Sequence, residues 1–99
     1  MVKINWTELS ISDLKSIYDY ISQDSKRYAS LTINKIYNRA QLLIQQPQIG
    51  RIVPEFNDPN IRELIIGNYR LVYKLLDEYS LDILRIYNSA RLLKKVDLK

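Results

Sequence analysis

The chain has 99 residues, 46% hydrophobic and 26% charged, with a net charge of +4. This suits one compact soluble domain and excludes a disordered chain. Cysteine and histidine are both absent, which removes disulfides, thiol nucleophiles, imidazole bases and the usual zinc ligands. No apolar run approaches the length of a membrane span and no leader-like segment stands at the start. The expectation is a cytoplasmic protein with no membrane association, no cofactor and no metal.

Val2-Lys3-Ile4-Asn5-Trp6 alternates apolar and polar residues, the period of a half-buried strand. Ser10 is the expected cap of the first helix, with Asp13 favouring the positive end of its dipole. Leu14, Ile17, Tyr18 and Ile21 then recur at i, i+3, i+4, i+7, an apolar stripe along a helix of roughly three turns. Asp24-Ser25 breaks the pattern and offers a second cap.

A second helix is predicted from Lys26 to about Gln46. Ala29, Ile33, Ile36, Tyr37, Ala40, Leu43 and Ile44 share one side of it, and Lys35 and Arg39 lie on the other. Pro47 ends it. So short a connection makes the two helices an antiparallel hairpin. Gln48 to Asn60 holds Gly50, Pro54, Asn57, Asp58 and Pro59 and reads as a long loop.

The runs Ile61–Ile66, Tyr69–Leu76 and Leu81–Tyr87, parted by Gly67-Asn68 and by Asp77-Glu78-Tyr79-Ser80, predict a three-stranded antiparallel meander. The order is β-α-α-β-β-β, an α+β domain in which the hairpin covers one face of the sheet. The first strand is at an edge or central depending on its pairing, and the helical crossover permits a parallel partner. Asn88 to Lys99 forms a basic tail: Arg85 to Lys99 carry five cations against Asp97. Such an end suits an acidic partner or serves solubility alone.

Arg62, Arg70, Lys74, Arg85 and Arg91 are spaced through the meander, and an arginine in a short strand is seldom buried without a partner. One face of the sheet is therefore expected to present guanidinium groups outward. Arg70 shares a face with Val72 and Lys74, opposite Tyr69, Leu71 and Tyr73. A strand can hold its planar fork for phosphate or carboxylate recognition. The alternative is an internal ion pair of Arg62 or Arg70 with Glu55, Glu63 or Asp82. Glu55 is a general base only if burial tunes it. Tyr69 and Tyr87 either stack on bases or pack in the core.

Trp6-Thr7 before an amphipathic helix, Pro47-x-x-Gly50-Arg51, Val53-Pro54-Glu55, Ile61-Arg62-Glu63-Leu64, Tyr69-Arg70-Leu71-Val72-Tyr73 and Ala90-Arg91 follow in order. This set resembles the RelE/ParE superfamily of toxins from type II toxin–antitoxin modules, over about Lys3 to Arg91. The resemblance implies a bacterial growth-inhibiting toxin of the plasmid-stabilisation kind, bound by an acidic, cotranscribed antitoxin as a hetero-oligomer. RelE-like members cleave mRNA on the ribosome, and ParE-like members poison DNA gyrase.

Carried over by motif, the nuclease set would be Arg70, Glu55 and Tyr87. The position of the family's general acid holds Asn88, which donates no proton near neutral pH, and metal-free RNA cleavage needs base, acid and cations together. The sequence therefore favours the ParE-like, gyrase-binding branch, with Arg51, Arg62, Arg70, Arg85, Arg91, Lys94 and Lys95 as candidate contacts to target or anion. A ribosome-dependent endonuclease and a degenerate, non-toxic antitoxin-binding module are the alternatives.

Overall fold

The computed structural model describes residues 1–89. Its elements are β1 (Lys3–Trp6), α1 (Glu8–Ser22), α2 (Lys26–Gln41), β2 (Arg51–Ile52), β3 (Ile61–Ile66), β4 (Tyr69–Leu75) and β5 (Ser80–Asn88), with a single 3-10 turn, Leu42–Ile44, after α2. One five-stranded sheet has the order β1-β5-β4-β3-β2. The predicted meander forms its centre, with β3, β4 and β5 antiparallel. β1 lies at the edge and runs parallel to β5, from Lys3 opposite Ser80 to Trp6 opposite Ile83. The sheet is thus mixed, and the helical crossover makes that parallel pair possible.

Three details depart from the sequence expectations. Thr7 caps α1 in place of Ser10: its hydroxyl accepts from the Ser10 amide at 3.2 Å. Ser10 is buried one turn in, its own hydroxyl donating back to the Thr7 carbonyl. The second helix stops at Gln41 and tightens into the 3-10 turn before Pro47, a common way for helix ends to satisfy carbonyls. Inside the expected loop, Arg51 and Ile52 pair with Glu63 and Arg62. Two residues between Gly50 and Val53-Pro54 carry no readable strand period. At the other cap the expectation holds, with the Ser25 hydroxyl accepting from the Tyr28 amide.

Gly67-Asn68 closes the β3–β4 hairpin as a two-residue turn, and Gly67 takes φ +59°. That left-handed conformation is the one such turns demand and glycine tolerates.

The sheet buries both faces. Towards the helices, Ile36 and Ala40 of α2 meet Leu64, Ile66, Leu71, Tyr73, Leu81, Ile83 and Ile86. Leu14 and Ile17 of α1 pack partly against this layer. On the opposite face Val53, Val72 and Tyr87 form a smaller cluster, flanked by Phe56, Ile61 and Leu84. A bulge lets β5 serve both. Val72 faces Arg85 but Tyr73 faces Ile83, so Leu84 is the extra residue. One added residue reverses the facing of everything after it. Leu81 and Ile83 before the bulge, and Ile86 after it, therefore all reach the helix side.

Beyond Trp6, β5 has no strand neighbour on its β1 side among the described residues. Thr7 and Asp13 take over there. The Thr7 hydroxyl donates to the Ile83 carbonyl at 2.7 Å, and Asp13 accepts from the Ile86 amide at 2.9 Å. Paired groups in place of an open strand edge satisfy the backbone.

Candidate functional site

The candidate residues converge on the sheet face away from the helices. Arg70 of β4 is directly opposite Tyr87 of β5. Glu63 of β3 is a diagonal neighbour, because Ile65 pairs with Arg70 and Glu63 with Val72. The segment after β2 supplies Glu55, held near the sheet because the Val53 amide donates to the Ile61 carbonyl. Arg70, Glu55 and Tyr87, expected as a set from the family motif, are therefore brought together.

Their arrangement is closed. Arg70 Nη1 and Nη2 donate to the two oxygens of Glu55 at 2.8 and 2.9 Å. Its Nε donates to Glu63 Oε1 at 2.7 Å, and Nη2 lies 2.6 Å from the same oxygen. Glu63 Oε2 accepts from Arg51 Nε. The result is a chain Arg51–Glu63–Arg70–Glu55, with the Glu63 side chain 0% and that of Arg70 6% exposed. Hydrogen bonding to Glu55 is the largest influence on Arg70 and raises its pKa above the ordinary arginine value; burial opposes this and Glu63 adds to it.

The expectation that this face presents its arginines outward is thus corrected for Arg70. The internal ion-pair alternative is what forms, with Glu55 and Glu63 as partners. The reason is register: the pairing of β3 with β4 places a buried carboxylate one diagonal step from the guanidinium, and a buried charge demands such compensation.

The other cations separate. Arg51 stays open to solvent beyond its bond to Glu63, with its side chain 62% exposed. Arg62 donates to the backbone carbonyls of Pro59, Gln48 and Gly50, so it ties the β2–β3 segment together. Arg85 is held by Asp13 through Nε at 2.8 Å and Nη2 at 2.9 Å, and its guanidinium lies 4.9 Å from the Tyr87 ring centroid. Tyr87 is 4% exposed and packs with Val53 and Val72. Tyr69 is half-buried against the helix-side core. Arg91, Lys94 and Lys95, expected as contacts in the basic tail, lie outside the described residues.

Two residues central to this geometry carried weaker signals in the sequence. Asp13 suggested only dipole complementation, yet it receives Arg85 and the β5 backbone. Glu63 appeared as one of several possible partners, yet it joins the two arginines. Tyr73, expected on the strand face opposite Arg70, lies there, fully buried in the helix-side core. Its hydroxyl also donates to the Pro47 carbonyl at 2.7 Å and accepts from the Gly50 amide at 3.0 Å. Burial is the main cause pushing that phenol's pKa up. Among the described residues no cluster of His, Cys, Asp and Glu could hold a metal ion, and no helix is long and apolar enough to cross a membrane.

No curated protein matches the sequence. Among solved structures, a chain of the chromosomal ParDE TA system from P. aeruginosa is similar, with a TM-score of 0.73 and 24% identity over 89% of this chain and 96% of that one. At that identity the likeness concerns the fold. The family model "ParE toxin of type II toxin-antitoxin system, parDE" matches residues 4–93, nearly all of the sheet and the helical hairpin. The chain therefore belongs to the ParE toxin family of type II toxin–antitoxin systems.

Proposed function

We propose that this protein acts as a non-nucleolytic toxin that inhibits growth by binding DNA gyrase and is neutralised by a cognate antitoxin. The observation that carries the first half is the engagement of Arg70. Stabilising the charge of a phosphoryl transition state needs cations aimed at the place where that charge develops. The Arg70 fork is instead spent on Glu55 and Glu63. Glu55 commits both oxygens to the same guanidinium, so neither is directed at a substrate hydroxyl. Tyr87 is buried, and Asn88 has no proton to give near neutral pH. Cation, base and acid are all poorly placed for RNA cleavage.

The gyrase and antitoxin parts rest on family membership, with DNA gyrase as the target of the ParE-like branch. Purified toxin added to gyrase and relaxed plasmid is expected to block supercoiling and to accumulate cleaved DNA, with no cut mRNA in a reconstituted translation reaction. Site-specific mRNA cleavage that disappears in the Arg70→Lys variant would overturn it.

One observation favours the ribosome-dependent endonuclease as a second reading: Arg70, Glu55 and Tyr87 are contiguous. It requires Glu55 to swing away from Arg70. The same translation assay decides between the two. A protein active in neither assay, and harmless on expression, would be an antitoxin-binding module alone.

A further inference from the structure

The link between β4 and β5 stands at the opposite end of β4 from the Gly67-Asn68 turn, and its backbone is firmly held. Asp77 Oδ1 accepts from the Tyr79 amide at 2.7 Å and from the Ser80 hydroxyl at 3.1 Å. The Leu76 amide donates to the Ser80 carbonyl, and the Lys3 amide of β1 donates to the Tyr79 carbonyl at 2.8 Å. On this fixed frame Tyr79 is 70% and Leu76 51% exposed. Side chains shown on an ordered backbone lose little further entropy when a partner covers them, and tyrosine is a residue that protein interfaces favour.

A cleft of about 420 Å³ opens beside the link. Pro47, Leu75 and Leu76 give it apolar surface, and Asp77 and Glu78 bring two carboxylates. Its walls are tied down. The Tyr73 hydroxyl donates to the Pro47 carbonyl, and the Leu75 amide donates at 2.8 Å to the carbonyl of Asn60 on the facing wall. The cleft is therefore preformed.

Among the described residues neither Asp77 nor Glu78 takes part in an ion pair. Lys74, close by in the chain, stands opposite Asp82 in the sheet. Hydrogen bonding from the Tyr79 amide, then from the Ser80 hydroxyl, holds the Asp77 carboxyl below its ordinary pKa, so it stays ionised. On a chain of net charge +4 this is a local reversal of sign. Apolar surface beside carboxylates matches a lysine or arginine side chain, whose stem lies on apolar atoms while its head reaches the charge. The phosphates of a nucleic acid would be repelled here, and so would an acidic antitoxin of the kind the family resemblance implies. A basic protein surface fits.

We propose that the cleft at the β4–β5 link holds a lysine or arginine side chain of the toxin's protein target, with Leu76 and Tyr79 as apolar contacts beside it. This rests on the gyrase reading above, and it adds the surface and the chemistry by which the target is held.

The test titrates the supercoiling activity of purified gyrase with the full-length toxin, Glu78→Lys, Leu76→Ser/Tyr79→Ser, and Asp19→Lys as an equal change of charge on α1. All altered positions are exposed, and circular dichroism melts confirm that each variant is folded. Binding to the purified protein encoded by the neighbouring gene is measured in parallel. Half-inhibition is expected to need roughly tenfold or more of Glu78→Lys and of the double variant. Asp19→Lys is expected to stay within about threefold of the unmodified toxin, and antitoxin binding to be unchanged throughout.

If the unmodified toxin inhibits gyrase and all variants inhibit it equally well, the cleft is not the docking surface while the gyrase reading stands. If the unmodified toxin leaves gyrase active, that reading falls and the proposal with it. Folded tip variants that lose antitoxin binding would assign the surface to the antitoxin and overturn the proposal.

Discussion

Glu63 Oε1 lies 2.6 Å from Arg70 Nη2 while its other oxygen accepts from Arg51, so one fully buried carboxylate bridges two arginines from different strands. A charge so placed is stable only while its partners remain. Removing one member of a buried pair costs about 3–5 kcal/mol. Arg70→Ala is therefore expected to lower unfolding stability by roughly that amount, and Glu63→Ala to leave Arg70 only Glu55 among these two acids. Urea denaturation of both single variants and the double variant measures the coupling. A double variant as unstable as the sum of the singles would show that the pair is not energetically linked.

Gly50 has almost no room for a side chain. A Cβ there would stand 2.5 Å from the Tyr73 hydroxyl, 2.7 Å from its ring and 2.8 Å from the Glu63 carbonyl. Two of these neighbours belong to a fully buried tyrosine and one to a central strand, so relief requires backbone movement. Gly50→Ala is expected to destabilise the fold by about 1–3 kcal/mol, read as a lower melting midpoint. An unchanged midpoint would mean that β2 shifts without cost.

Tyr73→Phe keeps the ring and deletes the hydroxyl that joins Pro47 to Gly50. The Gly50 amide is then left buried without that acceptor, at a cost of about 1–3 kcal/mol. A pH effect accompanies it. Burial raises the Tyr73 pKa, so the folded state holds the phenolic proton more tightly than the unfolded state. Stability from this group is fully present below the ordinary tyrosine pKa, and is lost as pH rises through the raised one. Urea midpoints across the alkaline range are expected to fall less steeply in Tyr73→Phe than in the unmodified protein. Parallel curves would remove Tyr73 as the source.

Asp13 fastens α1 to the end of β5 through Arg85 and the Ile86 amide. Asp13→Asn retains shape but removes the charge opposite Arg85. Side-chain exposures of 16% and 20% place this pair between surface and core, so a loss of about 1–2 kcal/mol is expected, below that of a fully buried pair. Amide exchange at Ile86 is the specific readout: it should quicken in Asp13→Ala. Exchange at the native rate would show that another group satisfies that amide.

Much of the architecture was legible because its signals are periodic. The α1 and α2 stripes follow 3.6-residue spacing, and the three long strands follow composition broken by turns. Gly67-Asn68 named its own hairpin. The ion-pair chain was only partly legible, because its geometry depends on register between β2, β3 and β4, which no local pattern states. Glu55, Glu63 and Arg70 were visible as candidate partners; that all three combine, with Arg51 added, needed the diagonal relation of Glu63 to Arg70. Leu84's bulge was invisible for a related reason. An inserted residue shows itself only against its neighbour strand, and Arg85 and Ile86 are sorted to opposite faces by it. Thr7 lost out to Ser10 as the expected cap because both residue types suit that position, and only the end of β1 decides between them.

The parallel pairing of β1 with β5 governs when the molecule can become itself. Lys3 finds its partner at Ser80 and Asn5 at Asp82, so the edge strand waits for almost the whole chain before it has anything to join. Proteins dominated by such distant contacts tend to fold slowly, since loop closure precedes its reward. A growing chain cut short before β5 would hold the helical hairpin and the β3–β4 hairpin but no strand to unite them. The consequence is a delay set by topology: the five-stranded sheet is completed only after β5 has been synthesised, and shorter fragments lack it.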